Sequence, residues 1–184
     1  MQLHLIWILV VLGYILSRSA EWRVHRRNYA MLRAAGADER VTVLMRVYYG
    51  FTALILPLAV FEHVALGAAL LRAQLVGGLI LIAVGLALRF WAIQSLGSYW
   101  TMRCLGLPRL RQLNRGPYKF ISDPEYLSRV FDALGFSLIF AARWTLGVSV
   151  LVTLVLGGLA AAAERRQSAE LGEERRPVEA QRAS

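Results

Sequence analysis

The chain has 184 residues, of which 57% are apolar and 18% charged, with a mean hydropathy of +0.49 and a net charge of +9. Soluble domains run about 45–50% apolar and about 25% charged, so this composition excludes disorder over most of the chain. Cys104 is the single cysteine, which excludes a disulfide framework. All the basic residues but Lys119 are Arg, and they lie between apolar runs instead of forming one face. That distribution disfavours nucleic acid as a partner and suits cytoplasmic loops facing anionic lipid.

A bilayer core about 30 Å thick needs ~20 mostly apolar residues as helix. The first apolar run, Leu3 to Leu16, is short for a span, but His4, Trp7 and Tyr14 offer interfacial support. A signal-peptide core is the alternative, with Ser17 and Ser19 near a cleavage site. No Lys or Arg precedes the run, so a retained helix is the expectation. The second run, Val47 to Leu71, contains Pro57, Glu62 and His63. The third runs from Ala73 to Leu88, extends to Trp91 and carries Gly77, Gly78 and Gly85. Only Arg72 and its neighbours separate these two, which predicts a tight helical hairpin. The fourth, Tyr126 to Ala142, is interrupted by Arg129 and Asp132, and the fifth, Trp144 to Ala163, is clean. Barrel alternation is absent, and helices satisfy their own backbone in lipid. The expected fold is all-α: a membrane bundle of five spans.

Charge orients the bundle. The loop from Ser17 to Arg46 holds seven Arg, the region from Arg89 to Arg129 six Arg and Lys119, and the tail after Ala163 five Arg. The other two connections hold one each, Arg72 and Arg143. With five spans the basic regions fall on one side, which puts the N-terminus outside and the C-terminus in the cytoplasm. The expected location is the inner (plasma) membrane.

The first cytoplasmic loop contains Trp22, Tyr29, Met31 and Leu32 as a partial amphipathic stripe, ended by Gly36 as a C-cap. By itself it reads as an interfacial helix on anionic lipid. In the longer segment, Gly116-Pro117 marks a turn and Pro124 opens the fourth helix, with Asp123 at its N-cap. Arg129 and Asp132, three apart on a helix, suit either an ion pair or catalysis. Glu62 and His63 are costly in a span and normally face the bundle interior. Tyr118 and Tyr126 suit interfacial anchoring. His4, His25 and His63 are scattered, so no metal site is expected. The absence of a strand followed by GxGxxG excludes a soluble Rossmann-type methyltransferase.

GPYKFISDPEYL, Gly116 to Leu127, resembles the GPY…RHP-x-Y signature of the isoprenylcysteine carboxyl methyltransferase family. LGSYWT, Leu96 to Thr101, is similar to that family's LG-x-x-W-T stretch. RNYAMLRAAGADE, Arg27 to Glu39, resembles a loop of its bacterial branch, which includes methyltransferases of long-chain polyketides. Glu62 and Asp132 lie where that branch has acidic residues. The resemblance covers roughly residues 17 to 171 and implies a single domain over 1–171, with 172–184 a charged, disordered tail.

The resemblance implies S-adenosylmethionine as cofactor and a lipophilic acceptor: a prenylated carboxylate or a polyketide or phenol hydroxyl. It assigns cofactor binding to Gly116, Pro117, Tyr118, Asp123, Pro124 and Tyr126. Arg166 and Glu170 join them from the C-terminal segment, where Leu171 replaces a second Glu. A carboxylate acceptor needs an Arg, for which Arg129 and Arg89 are candidates. A phenol or enol needs a base, from Asp132, Glu62 or His63. Where the family has Arg-His, this chain has Ser122-Asp123. An Asp there suits the cofactor's ammonium better than its carboxylate. The same departure motivates the rival reading, a non-catalytic membrane protein that retains the fold.

Overall fold

The computed structural model describes residues 2–36, 38–39, 43–67, 69–101, 105–106, 116–121, 123–159 and 162. Among them are five α-helices: α1 (Gln2–Ala34), α2 (Val43–Leu66), α3 (Arg72–Leu96), α4 (Pro124–Ile139) and α5 (Arg143–Val152). A π-helical turn, Thr153–Gly157, continues α5. Short 3₁₀ turns cover Gly97–Tyr99 and Gly116–Lys119. The all-α expectation holds except for one two-residue ladder, in which β1 (Asp38–Glu39) pairs antiparallel with β2 (Leu105–Gly106). Cys104, Ser122, Arg166, Glu170 and the tail lie outside the described residues.

Among the described residues, two helical stretches, Leu5–Ala34 and Arg72–Tyr99, are long and apolar enough to cross a membrane. Shorter apolar stretches cover Gly50–Leu66 and Arg143–Gly157. The first run and the amphipathic loop after it merge into a single helix, α1. No proline interrupts α1, and Ser17 and Ser19 donate back to the carbonyls of Tyr14 and Ile15, both at 2.8 Å, within the helical register. At 33 residues, α1 is about 50 Å long, well beyond the thickness of a bilayer core. Gly36, at φ +84, ends it as expected, its N–H bonded to the carbonyl of Arg33. Gly67, at φ +58, ends α2 in the same way and opens the short link to α3.

The chain divides into two compact units: Met1–Arg40 with Leu96–Leu107, and Val41–Ser95 with Pro108–Ser184. In the first unit, α1 buries Glu21, His25, Asn28 and Leu32, a stripe one helical turn apart per step. Of the apolar stripe read from the sequence, Leu32 is buried while Trp22 and Met31 are exposed, a difference in burial between its members. Asn28 explains the difference. Its Nδ2 donates to the carbonyls of Gly97, at 3.0 Å, and Trp100, at 2.8 Å, and so turns the polar side of α1 inward. The two motifs RNYAM and LGSYWT are therefore joined by one side chain.

In the second unit, α2, α4 and α5 pack mutually. Helices α3 and α4 approach through glycines. A Cβ on Gly78 would lie 2.7 Å from both the carbonyl oxygen of Gly135 and Cγ1 of Ile139. One on Gly135 would lie 2.9 Å from the carbonyl oxygen of Gly78. The two carbonyl oxygens are backbone obstacles that cannot swing away, so small residues set the helix separation. Gly78→Val is expected to lower the thermal stability of the detergent-solubilised protein by about 1–3 kcal/mol. Gly77→Val, whose side chain enters open space, is the control and should leave stability nearly unchanged. Equal effects of the two would contradict this contact.

Candidate functional site

The second unit concentrates the polar residues singled out from the sequence. Gly116 takes φ +58, and a Cβ there would collide with the Ser95 side chain and reach 3.3 Å from Trp91 Nε1. Only glycine lets the turn sit so closely on the end of α3. Pro117 is buried, and its carbonyl accepts the N–H groups of Phe120 and Ile121. Tyr118 is half-buried. The chain then enters α4, with Asp123 as N-cap: its Oδ1 accepts the Tyr126 N–H at 2.9 Å. Pro124, buried, occupies the first turn. The turn and the capped helix expected of this segment are both present.

Tyr126 faces α5. Its hydroxyl donates to the Thr153 carbonyl at 2.7 Å, and its ring fills the space beside Gly157 that any Cβ would occupy. The Tyr48 ring of α2 lies tilted against it, with centroids 5.9 Å apart.

Arg129 and Asp132 do not pair with each other. Arg129 donates to Glu125 Oε1 at 2.7 Å, one turn back on α4, and reaches Thr52 Oγ1 at 3.4 Å. Asp132 faces α3 instead, where Oδ2 takes the guanidinium of Arg89. The Nε of Arg89 also donates to Ser128 Oγ at 3.3 Å. Gly85 makes room for this pairing, since a Cβ there would lie 3.0 Å from Asp132 Oδ1. Asp132 Oδ1 is buried and has no hydrogen-bond partner.

Glu62 lies apart from this cluster. Its Oε1 accepts the Trp144 N–H at 2.9 Å, and its Oε2 accepts the Thr145 N–H and hydroxyl, each at 2.7 Å. The N-cap residue of α5 is Ala142, which has no capping side chain, so Glu62 supplies the cap from α2. The neighbouring His63 donates from Nδ1 to the Phe140 carbonyl at 2.8 Å. Together they brace the α4–α5 turn, where Ala141 holds φ +50 against the preference of a residue with a Cβ.

The sequence reading did not select Tyr48, Thr52, Glu125, Ser128, Ser149 or Thr153. A signal existed for the last two: Thr145, Ser149, Thr153 and Gly157 recur every fourth residue along one helix face.

The segment bearing this geometry can now be compared with known proteins. Residues 78–167 match the Isoprenylcysteine carboxyl methyltransferase (ICMT) family. The resemblance carried by the GPY…P-x-Y motif is thus shown, and α3 from Gly78 onward, α4, α5 and the turn before α4 fall inside the ICMT match. A relative from Bacillus subtilis (strain 168), the uncharacterized protein YpbQ, is 26% identical over 162 residues, covering 82% of this chain and 88% of its own. No solved structure matches. The ICMT family implies, in general, a membrane methyltransferase with S-adenosylmethionine as donor.

Removing the acceptor for two N–H groups at a helix start leaves both unpaired. Glu62→Ala is therefore expected to lower stability by about 1–3 kcal/mol in thermal unfolding, with Glu62→Gln losing less. No loss in the alanine variant would contradict the capping role.

Proposed function

We propose that the protein is an integral-membrane methyltransferase that transfers a methyl group from S-adenosylmethionine to a lipophilic acceptor. In this reading five helices span the inner membrane, with the N-terminus outside and the C-terminus in the cytoplasm. The observation that carries it is the ICMT match across a turn whose geometry suits a ligand. Gly116 brings backbone close to α3, and the start of α4 presents N–H groups to one side.

The residues fit a cofactor of mixed charge. Asp132 Oδ1 is a buried polar atom without a hydrogen-bond partner in the second unit. The cofactor's ammonium or ribose hydroxyls can donate to such an oxygen, and the N–H groups at the start of α4 suit its carboxylate. Asp123, although it caps α4, is half-buried, and its charge favours the ammonium. Arg166 and Glu170 would close the site from the C-terminal segment.

When bound, the cofactor supplies an electrophilic methyl on a sulfonium, open to in-line displacement. The chain's contribution is alignment and exclusion of water. Glu125 fixes Arg129, which puts a neutralised cation rather than a free one beside Tyr126. Arg89 similarly satisfies Asp132. Glu62 and His63 are read here as braces of the α4–α5 turn and not as a base. Of the carboxylates first considered for proton removal, Asp132 keeps one oxygen available.

Titration of the purified protein by isothermal calorimetry tests the reading. Saturable binding of S-adenosylmethionine or its demethylated product is expected, and Asp123→Ala should weaken it while costing ~1 kcal/mol of stability as a lost cap. Asp123→His should hold or raise affinity. Absence of binding to the folded wild type would contradict the enzyme and favour a scaffold that retains the fold.

A further inference from the structure

The two unpartnered hydroxyls of α5 and the π turn that continues it stand apart from the rest of their kind. In the second unit, every other described Ser or Thr hydroxyl has a partner. Ser95 and Ser137 bond back to carbonyls four residues earlier, Ser128 to that of Glu125, Thr145 to Glu62, and Thr52 accepts from Arg129. Back-bonding is the ordinary recourse of a helical hydroxyl. Ser149 and Thr153 lack it, although they are only 1% and 3% exposed. A buried hydroxyl left unmatched costs free energy, so a fold that keeps two, one turn apart, has a group to set against them.

The surroundings define that group. Thr145, one turn before Ser149, is held by Glu62 of α2, and the Thr153 carbonyl is held by Tyr126 of α4. Ser149 therefore lies on the face of α5 bounded by both helices. The helix widens into its π turn from Thr153, a feature that recurs at functional sites. The charges of the neighbouring α4 are already matched, Arg129 by Glu125 and Asp132 by Arg89. An ionic head would bring an uncompensated charge into this interior. A neutral oxygen, accepting from one hydroxyl or donating to the other, suits both. Exposed Leu151, Leu154 and Val155 next to the stripe offer an apolar path for the rest of such a molecule.

We propose that Ser149 and Thr153 form a binding subsite for the uncharged, oxygen-bearing head of a long-chain amphiphile. That this amphiphile is the methyl acceptor rests on the methyltransferase reading above; the subsite itself does not.

The test uses the full-length protein in phosphatidylcholine nanodiscs, without methyl donor. Hexadecanol, hexadecane and hexadecanoate are added at equal mole fraction, and bound probe is read by native mass spectrometry. Occupancy by hexadecanol should exceed that by hexadecane about tenfold, the scale of two modest hydrogen bonds. In Ser149→Ala/Thr153→Val that advantage should vanish, while apo thermal stability holds or rises because two unmatched hydroxyls are gone. Equal occupancy by alcohol and alkane in the wild type overturns the subsite and needs no variant to fold. So does a preference for hexadecanoate, or an alcohol preference that survives in the folded double variant. Cofactor titration separates the two readings. Alcohol preference without S-adenosylmethionine binding leaves the subsite and removes the methyltransferase, and the reverse result removes the subsite alone.

Discussion

The ion pair between Arg89 and Asp132 governs how the second unit is built. Both residues are buried, on helices α3 and α4, and a charge left alone at that depth would cost several kcal/mol. The pairing requires the helices to be close. Gly85 opens the space beside Asp132, and Gly78 with Gly135 brings the two backbones together further along. Ser128 adds a second contact to the same guanidinium. The Gly116 turn before α4 likewise sits against the end of α3, close to Ser95 and Trp91.

The same economy runs through the other polar groups in the apolar stretches. Arg129 closes on Glu125, and Glu62 closes on the start of α5. Tyr126 ties α4 to the π turn, where Gly157 admits its ring. Among the described residues of the second unit, one oxygen of Asp132 and the hydroxyls of Ser149 and Thr153 are buried without a hydrogen-bond partner, which is informative. Residues of types that are expensive to bury serve in most cases to hold helices together, and the exceptions gather on α4 and α5.

Much of this was legible in the sequence. The apolar runs gave the helices, Gly36 the end of α1, and Asp123-Pro124 the start of α4, because caps and terminators act locally. The GPY…P-x-Y motif gave the resemblance that the ICMT match over residues 78–167 bears out. Partner choice was not legible. Arg129 and Asp132 are adjacent on one helix by spacing, yet each is satisfied elsewhere, since Asp132 faces α3 and Glu125 lies one turn from Arg129. The duty of Glu62 toward α5 spans more than eighty residues, and no local pattern encodes it. The merging of the first run with the following loop was not legible either, because the drop in hydropathy after Leu16 reads as the end of the helix. Arg has high helix propensity and continued it instead.

A double-mutant cycle on Arg89 and Asp132 tests the central claim most directly. Unfolding stability is measured for Arg89→Met, Asp132→Leu and the double variant in one detergent. Each single variant is expected to lose about 3–5 kcal/mol, because it strands the opposite charge in the interior. The double variant should lose less than either. Losses that simply add would contradict the account, since each residue would then stabilise the fold without the other.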